Sequence, residues 1–270
     1  MFRAGRQFMK NIHRNVSADS SVEVSESDGV RSLHLGNSTV QSAMRLSDPA
    51  ALELAYTRGM MMFLLFVPEA KNVLMIGLGG GSVPKYIYRH LPQTDSIKVI
   101  EIDPKVTQIA RSHFEVPNDD ERFEILEGDG ARYTREHAAA TQVLMIDAFD
   151  SNGIPADLCS QEFFDYCAQA LTPGGVFVIN LWGSDRNFDV YLQYIEKAFD
   201  HRVLILPTGR PGNIVVMAFQ CAPAELRWSA LREQAKKLEQ HHQIEFLQFL
   251  EKIRECNPGT GHRLTFGSRT

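Results

Sequence analysis

The chain has 270 residues, 44% of them hydrophobic and 23% charged, enough for one large domain or two modest ones with a complete core. Lys and Arg number 28 against 33 Asp and Glu, a net charge of −5, which argues against a chain-wide nucleic-acid or anionic-membrane surface. The longest apolar stretch, Met60 to Val67, falls far short of the ~20 residues that span a bilayer. The basic N-terminus (Arg3, Arg6, Lys10, Arg14) has no apolar segment behind it, so it does not read as a secretory signal. Cys159, Cys167, Cys221 and Cys256 show neither Cys-x-x-Cys spacing nor a neighbouring His pair. They are expected to be reduced thiols in a cytoplasmic protein, not a disulfide or zinc framework.

Residues 1–20 are polar and aperiodic and are expected to form a mobile arm. From Ser21 the pattern alternates, with Val22 and Val24, Leu33 and Leu35, then Val40, separated by Ser27-Asp28-Gly29 and Gly36-Asn37-Ser38. This predicts two or three short antiparallel strands over 21–47. Such a piece buries little, so it must act as a lid packed on the main domain or on another subunit. Asp48-Pro49 predicts a helix start, Asp as N-cap and Pro at the first helical position, running through Leu52, Leu54, Tyr56, Met60 and Phe63 to about Phe66. The run Met60-Met61-Met62 reads as a buried helix face, not a cofactor box.

Strands and helices alternate from Val73. Apolar runs at Val73–Ile76, Ile97–Ile102, Phe123–Leu126, Val143–Ile146 and Val176–Leu181 read as strands. They are interleaved with helices reaching His90, starting at Pro104, and covering Gln161–Leu171 and Phe188–Phe199. Val203–Leu206 and Ile214–Phe219 make a final antiparallel pair across a Pro/Gly turn. The alternation predicts a doubly wound, Rossmann-like α/β sheet over 48–222. Residues 224–256 read as helical, within a C-terminal extension and tail over 223–270.

Ile76-Gly77-Leu78-Gly79-Gly80-Gly81-Ser82 follows a strand and opens a helix, the context in which a glycine loop lets backbone approach a ligand. Glu101 ends the second strand, where an acid accepts hydrogen bonds from ribose hydroxyls. Gly128-Asp129-Gly130 ends the third strand and Asp147 the fourth. Acids at successive strand ends mark a ligand crevice, since ligands bind outside the carboxyl ends of such sheets. NAD and S-adenosylmethionine both use this architecture. The loop, the Gly128-Asp129-Gly130 turn and Leu171-Thr172-Pro173-Gly174-Gly175 are similar to the class I adenosylmethionine-dependent transferases.

The chain resembles the spermidine/spermine synthase family, the polyamine aminopropyltransferases, over roughly residues 22–220. The resemblance rests on the N-terminal β-piece with Gln41 after a turn, Val73-Leu74-Met75-Ile76-Gly77-Leu78-Gly79-Gly80-Gly81, Val99-Ile100-Glu101-Ile102-Asp103, Glu127-Gly128-Asp129-Gly130, and Ile146-Asp147-Ala148-Phe149-Asp150. It implies transfer of an aminopropyl group from decarboxylated S-adenosylmethionine to an amine such as putrescine, releasing methylthioadenosine, without a metal and in a homodimer. It further implies that Glu101 holds the ribose and Asp129 the adenine amino group, and that Gln41 closes over the nucleoside. The loop glycines Gly77, Gly79 and Gly81, with Gly130, then shape the nucleoside site. Asp147 would hold the aminopropyl amine, and Asp150 matches the general base.

Departures from the family concentrate on the amine side. Gly80 stands where the family has an Asp, and Tyr56-Thr57-Arg58 where it has Tyr-His-Glu. Ser151 follows Asp150 in place of Pro, and Pro207-Thr208-Gly209-Arg210-Pro211 lacks the family's Tyr. Loss of acids and gain of Arg58 and Arg210 are expected to weaken binding of a polycation. Two alternatives stay open on the sequence: a methyltransferase using intact S-adenosylmethionine, and a non-catalytic nucleoside-binding paralogue.

Overall fold

The computed structural model describes residues 10–16, 21–36, 39–149, 153–209 and 212–267. An antiparallel sheet comes first, β1 (Lys10–Val16), β2 (Ser21–Ser27), β3 (Val30–Leu35) and β4 (Ser42–Arg45), adjacent in that order. β1 lies where an arm was expected. It pairs with β2 through a register shift between Asn11 and His13, and backbone pairing along a polar edge leaves no apolar alternation to read.

The helix expected from Asp48 begins later, at α1 (Ala55–Met60), and tightens into a 3-10 turn over Met61–Leu65. Asp48-Pro49 forms a turn instead: the Asp48 N–H donates to Arg45 O at 3.2 Å and the Ala51 N–H to Asp48 O at 3.1 Å. Asp-Pro is as good a turn signal as a helix cap, and here it reverses the chain as it leaves β4. Met60, Met61 and Met62 are fully buried, as a core face requires.

The main sheet is built from β5 (Asn72–Ile76), α2 (Ser82–His90), β6 (Ser96–Glu101), α3 (Pro104–His113), β7 (Phe123–Glu127), α4 (Gly130–Glu136), β8 (Thr141–Ile146), α5 (Gln161–Ala170), β9 (Leu171–Trp182), α6 (Phe188–Ala198), β10 (Val203–Pro207) and β11 (Asn213–Phe219). Its seven strands run β10-β11-β9-β8-β5-β6-β7. β5 pairs in parallel with β6 and β8, while β11 is antiparallel to both β9 and β10. The chain moves outward from β5 to β7 and returns to β8 on the other side of β5. That reversal is the switch point at which a crevice opens beyond the carboxyl ends.

Both faces of the sheet are covered, which explains the continuous apolar strands. Along β5, Val73 and Met75 join one core with Met60 and Phe63, and Leu74 and Ile76 join the other with Phe164 and Phe177. The first core extends into α7 (Trp228–His242) and α8 (Phe246–Cys256), which are separate helices because Gln243 turns left-handed at φ 56°. Val22, Val24, Leu33 and Met44 of the small sheet pack against Ile109 and Phe114 at α3, so this piece docks on the main domain.

Side chains close both outer strands of the main sheet. On β10, Ile205 N–H donates to Asn257 Oδ1 and its carbonyl accepts from Asn257 Nδ2, each at 2.8 Å. On β7, the N–H groups of Phe123 and Ile125 donate to Asp120 and Asp119 at 2.8 and 3.0 Å.

Candidate active site

The glycine loop exists because two strand ends run almost in contact. A Cβ at Gly77, whose φ is +89°, would lie 2.4 Å from Asp147 O and 2.9 Å from Ala148 Cα. Only glycine permits this approach and this backbone conformation together. The strand ends are stitched by Gly77 N–H to Ile100 O at 2.9 Å and Asp147 N–H to Ile76 O at 3.0 Å. Gly81 at φ +66° is likewise obligatory, since a Cβ there would meet Val116 Cγ2 at 2.3 Å.

A cleft lies over these ends, lined by Gln41, Gly77, Gly79, Glu101, Asp129, Gly130 and Asp147 among others. Glu101 is buried. Its Oε2 accepts from the Leu78 N–H at 2.8 Å and its Oε1 from the Asp103 N–H at 3.0 Å. The carboxylate is thus aimed by the glycine loop on one side and its own strand end on the other. Burial raises its pKa above the ordinary value, opposed by those backbone bonds. Asp129 caps α4, its Oδ1 accepting from Ala131 N–H at 2.8 Å and Arg132 N–H at 3.3 Å, and its other oxygen is not used by the cap. Gln41, just before β4, has a buried Nε2 without a hydrogen-bond partner. A buried amide left unsatisfied is costly in an isolated fold and fits a ligand-facing role.

A second cavity adjoins the first and shares Gln41 and Phe149 with it. Its wall includes Tyr56, Asn180, Trp182, Thr208 and Asn213. Asp147 lines the first cavity, while two residues of the second hold its carboxylate. Asn180 Nδ2 donates to Oδ1 at 3.0 Å, and the Tyr56 hydroxyl lies 3.2 Å from Oδ2 and 3.1 Å from Gln41 O. Asn213 Nδ2 in turn donates to Asn180 Oδ1 at 3.0 Å. Removal from bulk water pushes Asp147 up to about 6, against the two side-chain hydrogen bonds. Burial raises the Tyr56 phenol well above its usual value, and the adjacent Asp147 adds to this. A carboxyl so poised ionises fully once a cation is placed beside it.

The structure thus brings Gln41, Gly77, Gly79, Glu101, Asp129, Gly130 and Asp147 to one cleft. Asp150, Ser151 and Arg210 lie outside the described residues. Gly81 shapes the loop from behind and is not among the lining residues. Gly80 is packed beneath the small sheet: its N–H donates to Ser42 Oγ at 2.9 Å, and a Cβ would meet Ser42 Cβ at 2.8 Å. The family's Asp has no room there in this arrangement. Arg58 corrects the expectation of a polycation-repelling arginine. Its guanidinium is bound to Glu245 at 2.9 Å and to Leu52 O and Glu53 O at 3.0 and 2.8 Å, tying α1 to the start of α8. It lines neither cavity.

Sequence reasoning missed Tyr56 and Asn180, which read as core helix and core strand and become site residues only through Asp147. It also missed Ile102, 73% exposed and lining the first cavity. An apolar residue directly after the strand-end acid was the available signal, and its exposed face suits a flat ring.

Residues 53–223 match the family described as "Spermine/spermidine synthase domain". Over 258 residues the chain is 40% identical to a polyamine aminopropyltransferase of Chromobacterium violaceum, covering 95% of this chain and 98% of that protein. It is also 40% identical over 241 residues to a polyamine aminopropyltransferase of Neisseria meningitidis serogroup A, covering 89% and 91%. A spermidine synthase solved in complex with the transition state analogue AdoDATO superposes with a TM-score of 0.71 at 21% identity, covering 90% of this chain and 86% of the other. With a family match over more than half of its length and relatives aligned nearly end to end, the chain belongs to the spermine/spermidine synthase family.

Proposed function

We propose that the protein is an aminopropyltransferase that moves an aminopropyl group from decarboxylated S-adenosylmethionine to an amine such as putrescine and releases methylthioadenosine. The observation that carries this reading is the place of Asp147, a pKa-raised carboxyl facing an acid-lined cleft and held by residues of a second, adjoining cavity. A donor in the first cavity and an acceptor in the second would meet at that wall. The relatives' names support the reading, and neither the methyltransferase nor the non-catalytic alternative is favoured by them.

The residues divide the work by chemistry. Glu101, already held by two backbone N–H groups, accepts hydrogen bonds from the ribose diol with its remaining lone pairs. Asp129 accepts from the adenine amino group with the oxygen its cap leaves free. Gln41 gives its unpartnered Nε2 to the bound donor, and Ile102 covers the base. Asp147 receives the ammonium of the aminopropyl chain, an exchange of a costly buried charge for a paired one. An acceptor ammonium cannot attack while its lone pair carries a proton, so a base must take that proton, and Asp150 is assigned that role. The freed lone pair attacks the methylene carbon bonded to sulfur. The new C–N bond forms as the C–S bond breaks, and the departing pair leaves sulfur as a neutral thioether. Positioning of the two reactants contributes up to ~7–11 kcal/mol and the base ~10²–10⁴-fold. The protein acts in the cytoplasm and as a homodimer in this reading, with the small sheet contributing to subunit contact.

Calorimetry with S-adenosylmethionine, its decarboxylated form and methylthioadenosine, followed by product analysis with several amines, tests the proposal. The decarboxylated donor should bind more tightly than the carboxylated one, and an aminopropylated amine should appear. Methyl transfer, or no turnover with any amine, sinks it. Asp150→Asn should lower turnover ~10²–10⁴-fold while methylthioadenosine affinity stays within a few-fold.

A further inference from the structure

We infer that Asn213 is a positioning residue for Asp147: by donating to Asn180 it fixes which way the Asn180 amide faces, and so keeps a donor aimed at the Asp147 carboxylate. This deepens the aminopropyltransferase reading and rests on it for the role of the carboxylate.

The polarity of the chain of contacts follows from what each group is able to do. An ionised carboxylate only accepts hydrogen bonds. Asn180 must therefore turn its Nδ2 to Asp147 Oδ1, at 3.0 Å, which turns its Oδ1 away. That oxygen needs a donor, and Asn213 Nδ2 supplies it at 3.0 Å. Both asparagines are buried, Asn180 2% and Asn213 7% exposed, and a reversed Asn180 amide would set its oxygen against the Asp147 carboxylate and its NH2 against that of Asn213, losing both hydrogen bonds at once.

The sheet makes the geometry available. Asn213 lies opposite Trp182 in the β9–β11 register, and Asn180 lies two residues before Trp182 on the same face. The two asparagines are therefore a diagonal cross-strand pair, within reach of long side chains. Asn213 is itself anchored, since its carbonyl accepts from both the Thr208 N–H and the Thr208 hydroxyl at 3.0 Å. Asn213 and Asn180 also line the second cavity, so the contact runs from that cavity to the carboxylate of the first.

The Asn180 bond favours the ionised form of Asp147 and opposes the effect of burial. The titratable group in contact with Asp147 among the described residues is the Tyr56 phenol from α1. Glu101, Asp129 and Asp157 share its cavity, and none of these is altered by a change at position 213.

The test is the titration of the Asp147 carboxyl, followed by carbon-13 NMR with Asp147→Asn to assign the signal. In the unaltered protein the midpoint is expected near the high value of about 6. Asn213→Leu, which keeps volume but cannot donate, should move it up by roughly half a pH unit or more. In an Asn180→Leu background the same change should have no further effect, because the influence passes through Asn180. The acid limb of kcat/KM should move with the carboxyl. Affinity for methylthioadenosine, which lacks the amine, should stay within about twofold. Asn213→Ala is the substitute if the leucine variant does not fold. An unmoved midpoint, or a shift that persists in the Asn180→Leu background, overturns the proposal. Absence of aminopropyl transfer in the unaltered protein would instead overturn the reading of function, leaving the titration result intact.

Discussion

Asp147 is stabilising when protonated and costly when ionised. Its folded pKa of about 6 lies above the 3.8 of the free side chain. The stability it contributes is therefore present below pH 3.8 and is lost as pH rises through about 6. Asp147→Asn keeps the shape, can still pair with Asn180 and Tyr56, and carries no charge. Relative to the unaltered protein it should gain about 1 kcal/mol in stability between pH 5 and pH 8, discounted for water in the cleft. Calorimetric melts at the two pH values check the sign, and an advantage that shrinks toward pH 8 contradicts it. The same group makes binding of a cationic donor weaken below about pH 6. Glu101 presents a different case. Glu101→Gln replaces one acceptor with an amide NH2, which must face either the Leu78 or the Asp103 N–H that now donates to the carboxylate. Methylthioadenosine affinity should fall at least tenfold, about 1.4 kcal/mol, from the lost ribose bond and the disturbed loop together. Titration calorimetry showing unchanged affinity would remove Glu101 from the site.

At the scale of elements, the small sheet is bound to the glycine loop and to α2 at a few definite points. Ser42 Oγ accepts from Gly80 N–H at 2.9 Å, and the buried Lys85 of α2 donates from Nζ to Phe114 O at 2.6 Å beside Met44 Sδ. Burial lowers Lys85 to about 8, so this joint retains a cation at neutral pH. A chain beginning at Asp48 loses Gln41 and Ser42 and uncovers Ile109 and Phe114. It should bind nucleoside poorly, and light scattering should show fewer subunits per particle; a shortened chain unaltered in both respects refutes the lid and subunit-contact role. How far the sequence foretold these elements depends on what each one buries. Strands covered on both faces, such as Val73–Ile76, announced themselves by unbroken apolar runs, and the glycine loop by its place between strand and helix. β1 escaped notice because it is held by backbone pairing. Asp48-Pro49 misled because the same two residues begin a helix or make a turn, and only the return from β4 decides. Arg58 misled in a third way, since its partner Glu245 lies far along the chain. The strand-end acids were legible one at a time. Their union with Tyr56, Asn180 and Asn213 required the order β11-β9-β8-β5, which no local pattern states.

Taken whole, the molecule is a seven-stranded sheet with both faces covered and both outer strands occupied by side chains. Copies of the chain cannot readily join by extending this sheet, which directs any pairing of subunits to other surfaces. Asn257 imitates a neighbouring strand by satisfying both backbone groups of Ile205. Asn257→Ala should leave binding of nucleoside near normal but lower the temperature at which heated samples scatter light, because an unpaired strand edge is a template for association. A variant that aggregates no earlier would show the edge to be protected by α8 alone. The cap stands 52 residues beyond Ile205, the residue it satisfies, and this has a consequence during synthesis. β10 leaves the ribosome well before Asn257 does, so for that interval the nascent chain displays an open edge. A message truncated upstream of Asn257 would make this transient exposure permanent, leaving a product prone to capture by chaperones and proteases.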